Sequence, residues 1–335
     1  MSERLAELQN WLHDELGFGA FSITPASSDA SFRRYFRVTC GKRTHIAMDA
    51  PPDKEDCGSF MAIAAVMADM GLNVPRIEEA DVRRGFLLMS DLGTVHYLQA
   101  LNKQTVEKLY RDAMHSLLLL QAGPVESARI PVYDRDLLLR EMALFRDWYL
   151  QRHLLLPMSE AVGEILEQTF TFLVEAALDQ PQIWVHRDYH SRNLMVTEAN
   201  NPGILDFQDA VIGPVTYDLV SLLRDCYIRW PRGKVMGWLR DYLAMTQANN
   251  NLHGVSEMQF VRWFDLMGLQ RHLKAIGIFA RLNYRDAKPG YLGDIPRTLG
   301  YVVEISDKYP ELTPLRTLLL ELIPKEALIS LSFRA

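Results

Sequence analysis

The stretch His186-Arg187-Asp188-Tyr189-His190-Ser191-Arg192-Asn193 puts an imidazole, a carboxylate and an amide on one polar loop. Apolar runs flank it at 183–185 and 194–196, and Asp206 follows thirteen residues after Asn193. The spacing His-x-Asp-x-x-x-x-Asn suits phosphoryl transfer. The attacking hydroxyl must lie in line with the phosphorus and lose its proton. A carboxylate on a rigid loop does both, and Asp188 is the candidate. The phosphate charge calls for Mg2+, a hard cation that prefers oxygen ligands. Asn193 offers an amide oxygen and Asp206 a carboxylate, so these two are the candidate ligands. Residues 197–203 are rich in Asn, Pro and Gly, which predicts a hairpin returning Asp206 to the level of Asn193. His186 and Arg187 are expected to shape the loop rather than react.

Composition bounds the rest. The chain has 335 residues, 48% hydrophobic and 23% charged, enough for two lobes with cores. Its net charge of −6 gives no basic footprint for nucleic acid. Cys40, Cys57 and Cys226 are too few and scattered for a disulfide framework or a zinc site, and fit a reducing compartment. The N-terminus is charged and lacks a signal-peptide core, and no apolar run reaches membrane-spanning length. The expectation is a cytoplasmic monomer with no membrane or nucleic-acid partner.

Periodicity then places the elements. Leu5, Leu8, Leu12 and Leu16 share one face of a helix over residues 2–16. Small residues around Ser28 lead through Phe32 into an alternating strand, where Arg33, Tyr35 and Arg37 lie on one face. A loop of small residues lets backbone N–H groups approach phosphate. Further strands are expected at 44–49, 74–77 and 85–89, the last two joined by an acidic turn, with a helix at 59–70. Beyond Gly93 helical spacing dominates, at 105–121, 135–152, 160–178, 235–246, 257–282, 298–308 and 314–322. Asp218 falls near the start of a helix expected to run to 228, where exposed N–H groups favour a carboxylate. It reads as a brace for the catalytic loop. Arg224 and Asp225 lie further along that helix, and Asp209 reads as a surface charge.

The loop, the following Asp206 and the run Gly213-Pro214-Val215-Thr216-Tyr217-Asp218-Leu219-Val220 resemble the aminoglycoside phosphotransferase and choline kinase group, relatives of protein kinases. The stretches Met48-Asp49-Ala50-Pro51-Pro52, Phe86-Leu87-Leu88-Met89-Ser90-Asp91-Leu92-Gly93 and Gln270-Arg271-His272-Leu273-Lys274 are similar to those of bacterial N-acetylmuramate/N-acetylglucosamine anomeric kinases of cell-wall recycling. The resemblance implies an α+β, protein-kinase-like two-lobed fold. A nucleotide lobe over 1–92, a five-stranded antiparallel sheet with one helix, would precede a mainly helical lobe over 93–335. It implies ATP and Mg2+ as cofactors and an amino sugar as acceptor.

Ser28, Phe32, Arg33, Arg37, Met89 and Asp91 are then the expected nucleotide contacts, with Met89 to Leu92 as the hinge. Arg192, Arg224, Asp225 and Arg271 are the expected acceptor contacts, because arginine suits the carboxylate of an acidic sugar. One departure stands out. Met48 occupies the place of the group's phosphate-binding lysine, and the helix at 59–70 lacks that lysine's partner glutamate. Arg33 or Arg37 is expected to grip the phosphates instead. Two other readings stay open: a kinase for an amino alcohol or aminoglycoside, and a catalytically weak pseudokinase.

Overall fold

Two runs of chain build each of two compact units in the computed structural model. The first unit is Met1–Leu119 with Arg192–Asp209, the second Leu120–Ser191 with Ala210–Ala335. The structure describes residues 3–27, 32–125, 130–249 and 252–322. The expected division at residue 92 follows function; these units follow packing.

In the first unit, helix α1 (Glu3–Asn10) widens into π-type turns over Trp11–Glu15. Strands β1 (Ser22–Ser27), β2 (Arg34–Cys40) and β3 (Arg43–Asp49) come next, then helix α2 (Cys57–Asp69), β4 (Ile77–Asp81) and β5 (Phe86–Ser90). Helices α3 (Tyr97–Ala100) and α4 (Val106–Gln121) follow. The five strands form one antiparallel sheet in the order β1-β2-β3-β5-β4. Phe36 and Val38 of β2 face a core shared with Leu8, Trp11, Leu12, Ala47, Phe86 and Leu88. Alternation leaves Arg33, Tyr35 and Arg37 for the other face, as expected. Helix α2 starts at Cys57, two residues before the expected 59, because the Asp56 carboxylate accepts the Gly58 and Ser59 N–H groups. Strand β4 departs from expectation. It starts at Ile77, where residues 74–77 had been expected, and the acidic segment is strand rather than turn. Being at the sheet edge, it exposes Glu78 and Glu79 along one side, and Pro75 has no N–H to give a ladder. The turn into β5 uses Gly85 at φ +75°, where a Cβ would lie 1.8 Å from the Ala50 carbonyl oxygen.

The second unit is helical around one small sheet. Helix α5 (Arg135–Leu144) continues as π-type turns over Phe145–His153, and α6 (Glu160–Leu178) leads into β6 (Gln182–Val185). Strands β7 (Leu194–Met195) and β8 (Gly203–Ile204) intervene in the chain and belong to the first unit. Strand β9 (Val211–Pro214) pairs antiparallel with β6. Helices α7 (Tyr217–Leu223), α8 (Arg232–Ala248), α9 (Glu257–Asp286), α10 (Ile295–Lys308) and α11 (Thr313–Leu322) complete the unit. The long α9 packs against α5, α6, α7 and α10. At Gly277 the approach is closest: a Cβ there would sit 2.3 Å from the Leu144 carbonyl carbon. Helix α7 ends at Leu223, not near 228, because Arg224 leaves the helical region at φ −122°, ψ 52°. Arg224 and Asp225 therefore follow the helix instead of lying along it. No helix among the described residues is long and apolar enough to cross a membrane.

Candidate active site

Strand β6 delivers the loop of Asp188 in the second unit, and Asp218, in the first turn of α7, fixes its shape. The buried Asp218 carboxylate accepts the His186 N–H at 2.6 Å and the Arg187 N–H at 3.0 Å. Complete burial pushes its carboxyl up to about 7, with those two donors pulling the other way. Arg187 sits at φ 76°, a left-handed conformation that costs a non-glycine residue roughly 1–2 kcal/mol. Two anchors hold it there: Asp218 on its backbone, and Glu141 on its guanidinium. The Asp188 N–H donates to His186 Nδ1 at 3.2 Å, so the buried histidine shapes the loop from inside. Beyond it, the Asp225 carboxylate accepts the Ser191 N–H at 3.0 Å and the Ser191 hydroxyl.

Asp188 itself is half-buried, and charge decides its state. Burial pushes its carboxyl up, but Lys274, His190, Arg271 and Arg187 outweigh that and hold it below the ordinary carboxylate range. A network fixes the largest of these cations. Lys274 Nζ donates to Glu141 at 2.9 Å and to the Tyr217 hydroxyl at 3.0 Å. Glu141 also accepts from the Arg187 guanidinium and the Tyr133 hydroxyl. Asp188 is thus a carboxylate at neutral pH, the form a proton acceptor needs.

In the first unit, β7 and β8 make the expected hairpin, though each strand is only two residues long. The Leu205 N–H donates to the Asn193 carbonyl at 2.9 Å, which brings Asp206 level with Asn193. The Asn193 amide then lies 3.2 Å from Asp206 Oδ2, and Gln208 donates to Asp206 Oδ1 at 2.7 Å. Asp206 is held at φ 62°, and next to it Phe207 packs on Phe60 of α2 with ring centroids 4.9 Å apart. No group of three or more His, Cys, Asp and Glu capable of holding a metal occurs among the described residues. One carboxylate and one amide oxygen still fit Mg2+, which keeps several waters and binds phosphates beside few protein ligands.

Among the expected nucleotide contacts, Ser28 lies outside the described residues. Phe32 is exposed, with Lys54 Nζ 4.5 Å from its ring centroid and its N–H donating to Glu55 at 3.3 Å. Arg33 pairs with the same Glu55 at 2.7 Å and hydrogen-bonds the Tyr35 hydroxyl. Tyr35 is the cross-strand partner of Met48, the residue standing where the lysine was expected. The exposed Asp209 lies within charge range of Arg33. Arg37 is engaged differently: it grips Asp91 through Nε at 2.6 Å and Nη2 at 3.0 Å, and donates to the Gly93 carbonyl at 2.7 Å. Met89 is a buried residue of β5, an interior strand between β3 and β4.

The expected acceptor contacts also separate. Arg224 is 2% exposed and donates to Asp265 at 2.6 Å. Asp225 is occupied with the loop at Ser191 and with the Tyr227 N–H at 2.8 Å. Arg192 is half-buried in the first unit, and Arg271 lies beside Cys226 in the second. Sequence reading missed Glu55 and Glu141. The first hides in the acidic run before α2. The second had a signal, since an acid at helical spacing between Leu138 and Phe145 breaks an apolar face.

Comparison with known proteins gives the family and the fold. A model described as the phosphotransferase enzyme family matches residues 22–260. The chain is 46% identical over 330 residues to the N-acetylmuramate/N-acetylglucosamine kinase of Pseudomonas putida, covering 95% of this chain and 96% of that protein. It is 40% identical over 331 residues to the protein of the same name from Neisseria meningitidis serogroup B, covering 97% and 98%. In fold it matches a choline kinase from Streptococcus pneumoniae with a TM-score of 0.63 at 10% identity, over 90% of this chain and all of the other. An ADP-bound aminoglycoside phosphotransferase matches with a TM-score of 0.58 at 15% identity, over 90% and 98%. The α+β kinase-like architecture read from the sequence is that of these structures. The matched span takes in the sheet, the loop of Asp188 and the hairpin of Asp206, and the chain belongs to the phosphotransferase enzyme family.

Proposed function

We propose that the chain is an ATP-dependent sugar kinase acting on the anomeric C1 hydroxyl of N-acetylmuramate and N-acetylglucosamine, a cytoplasmic monomer of peptidoglycan recycling. The observation that carries this reading is the setting of Asp188, a loop carboxylate kept ionised by Lys274, His190, Arg271 and Arg187. The full-length relatives named for those two sugars support the choice of acceptor. So does the sign of the charge. Cations around the base suit a sugar carrying a carboxylate and disfavour choline or a polycationic aminoglycoside.

Each residue then has a role. Asp188 orients the C1 hydroxyl and accepts its proton; an anomeric hydroxyl is more acidic than an ordinary alcohol, which suits a carboxylate base. Asn193 and Asp206 would hold Mg2+, which neutralises phosphate charge when bound. Arg33 reaches the α- and β-phosphates and is steadied by Glu55, so this pair takes over from the absent lysine and glutamate. Arg37 and Asp91 brace the backbone leaving β5, where Met89 and its neighbours meet adenine. Phe32 borders the phosphates, Asp225 holds the end of the loop, and Arg192 contacts the acceptor.

The test is ADP release from Mg-ATP with N-acetylmuramate, N-acetylglucosamine, glucose, choline, homoserine and kanamycin. Turnover of the two amino sugars that vanishes with their 1-O-methyl glycosides is the expected result. Turnover of choline or kanamycin alone would discard the sugar reading. Asp188→Asn is expected to keep nucleotide binding while kcat falls by about 10²–10⁴-fold; unchanged kcat would remove Asp188 from the chemistry.

A further inference from the structure

Four cationic side chains cluster around the loop and α9 in the second unit: the buried Arg224, Arg271 and Lys274, and the half-buried Arg187. Three are paired: Arg187 and Lys274 share Glu141, and Arg224 has Asp265. Arg271 has no carboxylate within 4.0 Å among the described residues. Its one hydrogen bond runs from Nη1 to Cys226 Sγ at 3.6 Å, although the residue is only 5% exposed. A guanidinium carries five N–H donors, and a thiol is a weak acceptor. A guanidinium so placed keeps most of its donors open to an anion that can pair with it directly.

The neighbouring charges of Asp188 and Asp225 favour the guanidinium, and Asp218 also feels it, but none of these carboxylates lies within 4.0 Å of it. The Asp225 carboxylate is occupied by Ser191 and the Tyr227 N–H. The Tyr217 hydroxyl accepts from Lys274. Asp188 is the group assigned to the reacting hydroxyl. The side chain is also held in place by its helix. Gln270 donates to the Tyr133 hydroxyl at 3.2 Å, and His272 stacks on Tyr301 with ring centroids 4.7 Å apart and bonds the Arg224 carbonyl at 2.9 Å. Lys274 adds its bond to Glu141. These contacts on either side hold this stretch of α9 in place, and a pre-organised fork is what bidentate recognition of a carboxylate requires.

We propose that Arg271 receives the carboxylate of the acceptor, and so distinguishes N-acetylmuramate, whose lactyl ether carries one, from N-acetylglucosamine, which has none. This rests on the sugar-kinase reading. The acceptor then lies with its hydroxyl at Asp188 and its acid group on Arg271, both on the second unit.

The experiment compares kcat/KM for the two sugars in the wild type and in Arg271→Gln. N-acetylmuramate should lose roughly 10- to 100-fold more than N-acetylglucosamine, mainly in KM, over whatever loss the two sugars share because Asp188 loses one of its neighbouring charges. A second arm needs no variant: the methyl ester of N-acetylmuramate, tested on the wild type, should fall to the level of N-acetylglucosamine. If both sugars lose kcat/KM by the same factor in Arg271→Gln, Arg271 acts only through Asp188 and the proposal is overturned. The proposal is equally overturned if the ester is phosphorylated as well as the acid, and this arm stands even if the variant fails to fold. Wild-type protein that phosphorylates neither amino sugar would instead refute the sugar-kinase reading, and this inference with it.

Discussion

Replacing Lys274 with Met tests whether the Glu141 network sets the state of Asp188. The ammonium makes two bonds, to Glu141 at 2.9 Å and to the Tyr217 hydroxyl at 3.0 Å, and is 8% exposed. Breaking a buried pair typically costs about 3–5 kcal/mol when a charge is left alone. Glu141 would keep Arg187 and Tyr133, so the loss in Lys274→Met should be smaller, about 2 kcal/mol. Glu141→Gln is the harsher change, since it strands the buried Lys274 and the half-buried Arg187, and should cost about 4 kcal/mol. The double variant should lose less than the sum by about 1.5–3 kcal/mol, the coupling expected of residues in one network. Urea denaturation measures all three. The activity readout separates structure from chemistry. Lys274 is the largest of the charges holding Asp188 below the ordinary carboxylate range. A base with a lowered pKa is competent above that pKa and loses activity as pH falls through it. Removing Lys274 should therefore move the acid limb of the kcat/KM profile to higher pH. Additive stability losses, or an unmoved acid limb in a folded variant, would refute the reasoning.

The two candidate arginines of β2 and its approach should behave oppositely. Arg33→Gln should weaken Mg-ADP binding about tenfold or more and leave adenosine binding unchanged by calorimetry. Arg37→Gln should keep nucleotide affinity and lose about 1–2 kcal/mol of stability, since its guanidinium is committed to Asp91 and Gly93. Burial holds the His272 imidazole down at about 3. With an unfolded value near 6.5, the unfolded chain takes up a proton below that pH and the folded chain does not, so stability is full above it and falls with pH. By pH 5 the loss is about 2 kcal/mol, and it should vanish in His272→Gln. Gly277→Ala would put a Cβ 2.3 Å from Leu144 backbone and should cost about 3 kcal/mol or more in urea; an unaffected midpoint would contradict the packing of α9 on α5.

The loop and hairpin were legible in sequence because their chemistry is local. Residue types at fixed spacing named Asp188, Asn193 and Asp206, and the turn composition of 197–203 carried the hairpin. Alternation marked β2, as at Arg33, Tyr35 and Arg37, whereas the count of five strands came with the resemblance and β1 was not placed. What sequence could not show was which of several like residues is free to act. Arg33 and Arg37 lie on one face of one strand, and only the contacts separate a guanidinium paired to Glu55 next to Met48 from one clamped on Asp91. Strand β4 was misplaced because at a sheet edge solvated Glu78 and Glu79 read like a turn. The end of α7 was misjudged because propensity gives no warning that Asp225 is needed by Ser191, thirty-four residues back in the chain.

Helix α9 carries the sharpest version of that limit. Its periodicity marks a core helix, and Phe264, Leu266, Leu269 and Leu273 are buried accordingly. Yet Asp265, Gln270, Arg271, His272 and Lys274 are buried in the same helix. A core position that only had to fill space would cost less as Leu, because each buried polar group must recover its lost hydration. Asp265 recovers it from Arg224, Lys308 and Tyr309, and Lys274 from Glu141 and Tyr217. Those groups are structural and account for themselves inside the fold. Arg271 is the one charged residue of the five with no carboxylate within 4.0 Å among the described residues. The same physics that makes its neighbours dispensable as contacts for an acceptor makes Arg271 the place to look for one.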